Sequence, residues 1–508
     1  VSGAEPNFEP PYVLAIDMGT SSTRAIVFDR HGRQVQATET QLPYDVTTTP
    51  DGGVELDPAM LLSYTARAVD GALGKAREIG LTISLVGVAC FWHSLIGLDR
   101  EMRPASPVYM WGDTRSRDEA AQLRATIDVE AYRQTSGVTI HSSYWPAKLR
   151  WLRAADPERC TRVRRWTSGA DYLMQEWLGV DRTAMPMASG TGLLDIRSGT
   201  WSEQVIAIAG IDPATLPPIV GRHEAVSGLR AEWAARWPEL AGVPWYPPIG
   251  DGACANVGSG ATGAGRMALT LGTSGAVRGI VPAPLHGPFT VPDDLWAYRL
   301  DPDQLVLGAA VSNGGNVTAW VADLTGAPIN DAALGSFLTA EPDSHGLTIL
   351  PFLSGERSPL WSDTVTGVIA GLTQATDPER LRRAAMESVS LRLALLYGLL
   401  APHMAPDHLV VANGGALLSS PAWQRITCDA IGMPLTILAP TDETAARGAA
   451  ILALQDHGVL DRIDDAHDPT AGRPVLVPDR SAHQVYREAG KRQQRLVAAL
   501  EAAQFWNA

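Results

Sequence analysis

At 508 residues the chain exceeds the roughly 250–300 at which a single hydrophobic core stops growing, so two large domains are expected. Hydrophobic residues make up 45% and charged residues 19%, a globular balance, and no segment reads as the roughly 20 apolar residues of a membrane span. The formal charge of −14 disfavours a broad nucleic-acid or acidic-lipid surface, and four widely spaced cysteines with no CxxC pair point to reduced thiols in a cytoplasm.

In chain order, VSGAEPNFEPP lacks the basic and apolar blocks of a signal peptide and reads as a loose arm over residues 1–11. YVLAIDMG, STRAIVFDRHG and RQVQATETQ then predict a three-stranded meander. DPAMLLSYTARAVDGALGKAREIG predicts a helix with Asp57 as N-cap, Pro58 in its first turn, and Leu61, Leu62, Thr65, Val69, Ala72 and Leu73 on one face. LVGVACF, LTIL, HLVVANGG and PLTIL read as buried strands. TDPERLRRAAMESVSLRLALLYGLL, SPAWQRITCDAIG and TDETAARGAAILALQ read as helices. The class is α/β, and the last 50 residues read as a C-terminal cap with a solvated helix face.

GTSSTRAIV at 19–27 returns as GTSGAVRGIV at 272–281, each copy following an apolar strand, which predicts a duplicated domain with a ligand cleft between the halves. A Gly-Thr-Ser turn offers backbone N–H groups and hydroxyls to phosphate oxygens, and two such turns facing each other can clamp a polyphosphate. Two residues before the glycine the first copy has Asp17 and the second Thr270, as expected if one acid handles a magnesium ion. There is no GxxxxGK[ST] motif. Gly414 and Gly415 in VVANGGALLSS lie between a strand and a helix, a place where adenosine can rest on backbone. In IGDGACANVGSG, Asp251 is the single carboxylate among small residues. It reads either as an aspartate-capped turn or as a reaction centre that backbone, ligand and a second domain can approach closely.

DMGTSSTR, WGDTR, IGDGACANVG, LGTSGAVR, SNGGNVTAW, PFLSGERSPLW, GVIAGL and NGGALLSSPAWQ occur in the order found in the FGGY carbohydrate kinases, and the chain resembles that family from about residue 12 to 456. HSLIGLD, WGDTRS, the TIH run at 139–141 and LTLGTSGAVR give it the look of bacterial gluconokinases, with xylulokinases and glycerol kinases also similar. The resemblance implies an actin-like fold of two ribonuclease H-like domains, drawn here at 12–254 on the sugar side and 255–508 on the nucleotide side. It also implies ATP and Mg2+ as cofactors and a small sugar, polyol or sugar acid as partner, gluconate leading and a ketose as the alternative; a homodimer is one permitted assembly. By resemblance Asp251 is the general base and, with Asp17, a magnesium-side carboxylate. Thr20, Ser21, Ser22 and Arg24 form the first phosphate hairpin. Gly272, Thr273, Gly315, Gly414, Gly415 and Ser419 contact the nucleotide.

On the sugar side the resemblance implies roles for Trp92, His93, Asp113 and His141, and here the sequence departs from the pattern. Phe91 and Trp92 precede the family histidine, Trp145 replaces a small residue, and Ala319 stands where glycerol kinases have glutamine, so it brings no side-chain bond to nucleotide. Trp92 either covers a sugar ring or fills space. A silent sugar-sensing pseudokinase would have little reason to keep both Asp17 and Asp251. A filament protein would have none to keep the run through His93 and Asp113.

Overall fold

A computed structural model describes residues 8–326 and 340–507. Residues 1–7 of the expected arm lie outside the described residues. Residues 8–11 are not loose: the Tyr12 hydroxyl donates to the Phe8 carbonyl at 3.0 Å, the Glu9 N–H reaches the Asp29 carboxylate at 3.4 Å, and the Arg33 guanidinium sits 6.0 Å from the Phe8 ring centre.

The predicted meander forms. Strand Tyr12–Met18 pairs antiparallel with Ser22–Phe28, which pairs antiparallel with Gln34–Pro43. On the other side Tyr12–Met18 runs parallel to Ile83–Cys90, and that strand runs parallel to Ile249–Gly250. The second sheet repeats this succession. Arg266–Leu271 is antiparallel to Gly275–Pro282, which is antiparallel to Gln304–Val311. Arg266–Leu271 is also parallel to Leu409–Asn413, which is parallel to Leu435–Ile437. Trp296–Arg299 and Val475–Leu476 extend its two edges. The echo of Gly-Thr-Ser is therefore a duplicated topology, each turn joining the first two strands of its sheet. Helix Pro58–Glu78 starts as predicted, the Asp57 carboxylate accepting from the Ala59 N–H at 2.8 Å, and buries Leu61, Thr65, Val69, Ala72 and Leu73.

The expected boundary at 254/255 falls within helix Asp251–Gly258. The last predicted helix, Thr444–Asp456, also belongs in space with the first sheet: Ala446, Ala449, Ala450 and Ala453 join the core that contains Val13, Ile16 and Val88. It lies against helix Asp251–Gly258 so closely that a Cβ on Gly448 would stand 1.8 Å from the Cys254 carbonyl oxygen, and one on Gly258 1.8 Å from that of Thr444. Only hydrogen fits between these backbones.

Helix Pro378–Leu400 corrects the reading of no membrane-length segment, since with the turn after it, Pro378–His403 is long and apolar enough to cross a bilayer. Its apolar face, including Val389, Leu393 and Leu396, is instead packed in the second core. The C-terminal helix Arg480–Ala502 is more than a cap: Arg492 grips Asp343 through both guanidinium Nη atoms, and the Tyr486 hydroxyl donates to buried Glu387 at 3.1 Å.

Gly448→Ala is expected to lower the thermal midpoint, because overpacking at a backbone contact costs about 1–3 kcal/mol or more. Gly74→Ala, at a helical site with open space around the new Cβ, is the control and should be neutral or slightly stabilising. Calorimetry of the two variants checks this.

Candidate active site

Three parallel strands end side by side at the cleft. Met18 and Gly250 both lie opposite Cys90, so Tyr12–Met18 delivers Asp17, Ile83–Cys90 delivers Phe91, Trp92 and His93, and Ile249–Gly250 delivers Asp251. Carboxyl ends of adjacent parallel strands are where open α/β sheets place ligands. They open on a cavity of about 150 Å³, whose lining includes Trp92, His93, Tyr144, Asp251, Arg278 and Arg357.

Asp251 is the first residue of its helix, and the Gly252 N–H donates to its Oδ1 at 2.7 Å. Burial raises its carboxyl above the ordinary range, against the pull of Arg278 and the backbone donors. Burial also pushes Asp17 up to about 6, with Arg24 opposing and the charge of Asp251 adding to the rise. The charge of Asp251 thus disfavours ionisation of Asp17, the interaction of two carboxylates near one another.

Burial holds the His93 imidazole down at about 3, so it is neutral at physiological pH. Its Nδ1 lies against the Gly190 carbonyl, which can only accept, so the proton sits on Nδ1 and Nε2 is left as an acceptor. His93 adopts φ 68°, a left-handed backbone that non-glycine residues rarely take outside tight or functional turns.

Trp92 lines the cavity and is also packed in place. Its Nε1 donates to the Pro186 carbonyl at 3.0 Å, and its ring lies 4.6 Å from that of Tyr298. The glycines around Asp251 accommodate this indole: a Cβ on Gly250 would lie 1.9 Å from it and one on Gly252 2.7 Å, with Gly190 at 2.4 Å on another side. The small residues that the sequence reading assigned to ligand and domain approach thus serve the tryptophan and the helix contact at Gly258.

On the nucleotide side, Thr20 and Ser274 of the two turns reach the cavity, and the Trp111 Nε1 donates to the Thr20 Oγ1 at 3.1 Å. Thr273 lines an adjoining chamber of about 460 Å³ that shares Trp111, Ser143 and Arg357 with the first. Gly272, Gly315, Gly414 and Gly415 converge: the Gly315 N–H donates to the Gly272 carbonyl at 2.8 Å, and Gly414, at φ 98°, packs on the Leu271 backbone. A side chain on Gly272 or Gly415 would enter open space, as a surface kept clear for a ligand requires. Ser419 is exposed, its Oγ donating to the Ala416 carbonyl at 3.2 Å. Ala319 is exposed on helix Gly315–Thr325.

Four of the residues expected to contact ligand have partners within the chain. Arg24 is engaged by Glu39 at 2.9 Å and by Glu443. The Ser22 Oγ accepts from Gln41 at 3.0 Å, while Ser21 stands exposed on the turn. The Asp113 carboxylate is buried away from the cavity, taken up by Arg115 and by the Val54 N–H at 3.2 Å, and Arg115 continues to Glu55 at 2.6 Å. His141 lies in the adjoining chamber with its Nε2 3.0 Å from Asp363. Trp145 is scaffold, its Nε1 donating to the Ser94 carbonyl at 3.0 Å.

Sequence reasoning missed Arg278, Arg357, Tyr144, Tyr298 and Trp361. The first had a visible signal: Arg278 is the single charge in the apolar strand Gly275–Pro282, on the same face as cavity-lining Ala276. Both arginines are desolvated, which depresses their basicity, and neither makes an ion pair among the described residues. Arg278 Nη1 is 3.4 Å from the Thr270 hydroxyl and Arg357 Nη2 donates to the Val311 carbonyl at 3.0 Å, leaving both guanidiniums uncompensated beside one carboxylate.

Residues 12–258 match the N-terminal domain and residues 267–455 the C-terminal domain of the FGGY family of carbohydrate kinases. The chain belongs to this family. It is 28% identical over 491 residues to a gluconokinase of Bacillus subtilis (strain 168), covering 94% of this chain and 93% of that one. It is also 28% identical over 443 residues to a xylulose kinase of Escherichia coli (strain K12), covering 87% and 89%. The crystal structure of a gluconate kinase from Lactobacillus acidophilus superimposes with a TM-score of 0.87 at 22% identity, covering 96% of this chain and 98% of that one. As an FGGY carbohydrate kinase with the two-domain actin-like fold, the protein is an ATP-dependent phosphotransferase acting on a sugar hydroxyl.

Because Trp92 is both cavity wall and packed core, Trp92→Met is expected to do two things at once. It lowers the thermal midpoint by leaving a void between three glycines, and it shifts relative kcat/KM among substrates. Differential scanning fluorimetry and a substrate panel on the same preparation check both.

Proposed function

We propose that this FGGY kinase phosphorylates a sugar acid of the aldonate class, gluconate foremost, with Asp251 as general base. The observation that carries this reading is the half-buried guanidinium of Arg278 in the cavity wall, with no ion pair among the described residues and Arg357 near it. With a neutral sugar the two guanidiniums would face only the one carboxylate of Asp251, whereas a substrate carboxylate makes charge-assisted, bidentate bonds with Arg278.

In this reading the sugar hydroxyl lies between Asp251 and the cleft where the two Gly-Thr-Ser turns face each other. As the hydroxyl oxygen bonds to the γ-phosphorus and the bond to the ADP oxygen breaks, Asp251 Oδ takes the hydroxyl proton. The raised basicity of Asp251 suits it to that task, and neutral His93 accepts a hydrogen bond from a neighbouring hydroxyl through Nε2. Trp92 and Trp361 wall the apolar ring or chain faces and keep water, the competing acceptor, away from Asp251. Thr20 and Thr273 offer hydroxyls and turn N–H groups to phosphate oxygens. Gly272, Gly315, Gly414 and Gly415 leave the nucleotide surface clear, with Ser419 at its rim. Asp17, together with Asp251, would hold Mg2+, which when bound neutralises phosphate charge.

Asp251→Asn should cut sugar-dependent ADP release by at least about a hundredfold, because asparagine keeps the size and hydrogen bonding but cannot accept the proton, while nucleotide binding measured by calorimetry persists. Arg278→Leu should lower kcat/KM for aldonates by about a hundredfold and leave neutral polyols and ketoses within a fewfold. A wild-type enzyme that prefers a neutral ketose to every aldonate in such a panel would reject the substrate assignment while leaving the Asp251 result intact.

A further inference from the structure

The loop 354–363, SGERSPLWSD, belongs to the second half of the chain but ends on the first. Its base is fixed to strand Gln304–Val311: the Ser358 N–H donates to the Ala310 carbonyl at 2.8 Å, the Ala310 N–H to the Ser358 Oγ at 3.2 Å, and Asn313 Nδ2 to the Gly355 carbonyl at 2.8 Å. Reciprocal 2.9 Å bonds between the backbones of Glu356 and Ser362 close residues 357–361 into a tight bend. That bend points Arg357 and Trp361 into the sugar-side cavity, and Trp361 sits at φ 48°, a conformation that has to be held by its surroundings.

What holds it comes from the opposite side of the cleft. Two residues after Trp361, Asp363 Oδ1 lies 3.0 Å from His141 Nε2 and accepts from the Ser142 Oγ at 2.9 Å, and the Trp361 ring meets His141 edge-on at 5.5 Å. The side chains of Asp363 and His141 are 7% and 6% exposed, so this is a desolvated contact, unlike a surface pair that solvent screens. The receiving turn is itself rigid. Buried Lys148 donates from Nζ to the Ser142 carbonyl and, at 3.1 Å, to the Asp113 carbonyl, and the Ser116 Oγ donates to the Ser142 carbonyl at 3.1 Å. Burial would raise the Asp363 carboxyl, but His141, Ser142 and Lys148 outweigh it and hold it below the usual range, so Asp363 is ionised.

We propose that Asp363 is a positioning residue of the sugar site: its grip on His141 and Ser142 across the cleft seats Arg357 and Trp361 on the substrate, so that sugar binding and closure of the two halves share one contact. This inference rests on reading the cavity as the sugar site. It assigns His141 a closing role rather than a substrate contact, and it makes the second half of the chain a contributor to sugar recognition.

The test uses the full chain with sugar and ATP varied separately. Asp363→Asn and His141→Gln should each raise the sugar KM about tenfold, leave the dissociation constant for ATP within twofold, and give a double variant no worse than either single one, since both remove the same contact. Sugar and a nonhydrolysable ATP analogue together should compact the parent in small-angle scattering, and the variants less. A sugar KM within twofold of the parent, or additive losses in the double variant, overturns the proposal. If Asp363→Asn fails to fold by circular dichroism, Ser142→Ala carries the same prediction at about threefold, with the same overturning result. The latch should affect aldonates and neutral sugars alike, whereas Arg278→Leu separates them. A failed substrate assignment and a failed latch are therefore distinguishable.

Discussion

At the base of the cleft two helices touch backbone to backbone, and the placement of the reacting groups follows from that contact. Gly258 and Gly448 carry no Cβ, so helix Asp251–Gly258 and helix Thr444–Asp456 approach closer than any side chain would permit. The first of these begins at Asp251, the second begins after Glu443, and Glu443 reaches Arg24 on the first hairpin. A chain segment from the end of the second half is thereby packed into the core of the first, and the two halves are joined beside Asp251. Any relaxation of that contact would shift Asp251 relative to Asp17, and misplacement of reacting groups by an ångström is costly in rate.

Charge is the second constraint. The cavity is lined by one carboxylate, Asp251, and two guanidiniums, Arg278 and Arg357, and among the described residues none of the three is closed in a direct ion pair; Asp17 stands beside Asp251 with Arg24 near it. Structural ion pairs elsewhere are closed, as Arg115 is by Asp113 and Glu55 or Arg492 by Asp343. The contrast separates closed pairs from open ones: charges left without a partner in a cavity are candidates for ligand contact. His93 fits the same scheme from the opposite side, a residue kept uncharged so that it can accept a hydrogen bond amid cations.

The strands, the duplicated topology and the helix caps were legible because they depend on local periodicity and on residues such as Asp57 and Pro58 that act within one turn. The placement of Asp17, Thr20, His93 and Asp251 at or just past strand ends was legible, because each follows a short apolar run that stops at small or turn-forming residues. Side-chain destinations were not. Whether Arg24 meets phosphate or Glu443, and whether Asp113 meets sugar or Arg115, is decided by partners dozens to hundreds of residues away, which no spacing records. The boundary drawn at 254 falls inside a helix for the same reason, since a helix that starts at the cleft and continues into packing against Thr444–Asp456 has no compositional seam. Arg278 and Arg357 lay inside quoted motifs, yet only the assembled cavity distinguishes a lone arginine in a strand from a surface charge.

The bed of Trp92 carries a further implication. Its indole occupies the space that side chains at Gly190, Gly250 and Gly252 would need, and these glycines come from two stretches of chain some sixty residues apart. The four positions therefore behave as one steric unit. A lineage that exchanged the tryptophan for a shorter residue would be released from glycine at 190 and 250, while a Cβ on Gly252 would still face Arg278 at 3.1 Å, and one that lost a glycine first would have to lose the indole with it. Change at this wall is thus ordered: shortening the indole has to come before or with any side chain at the glycines.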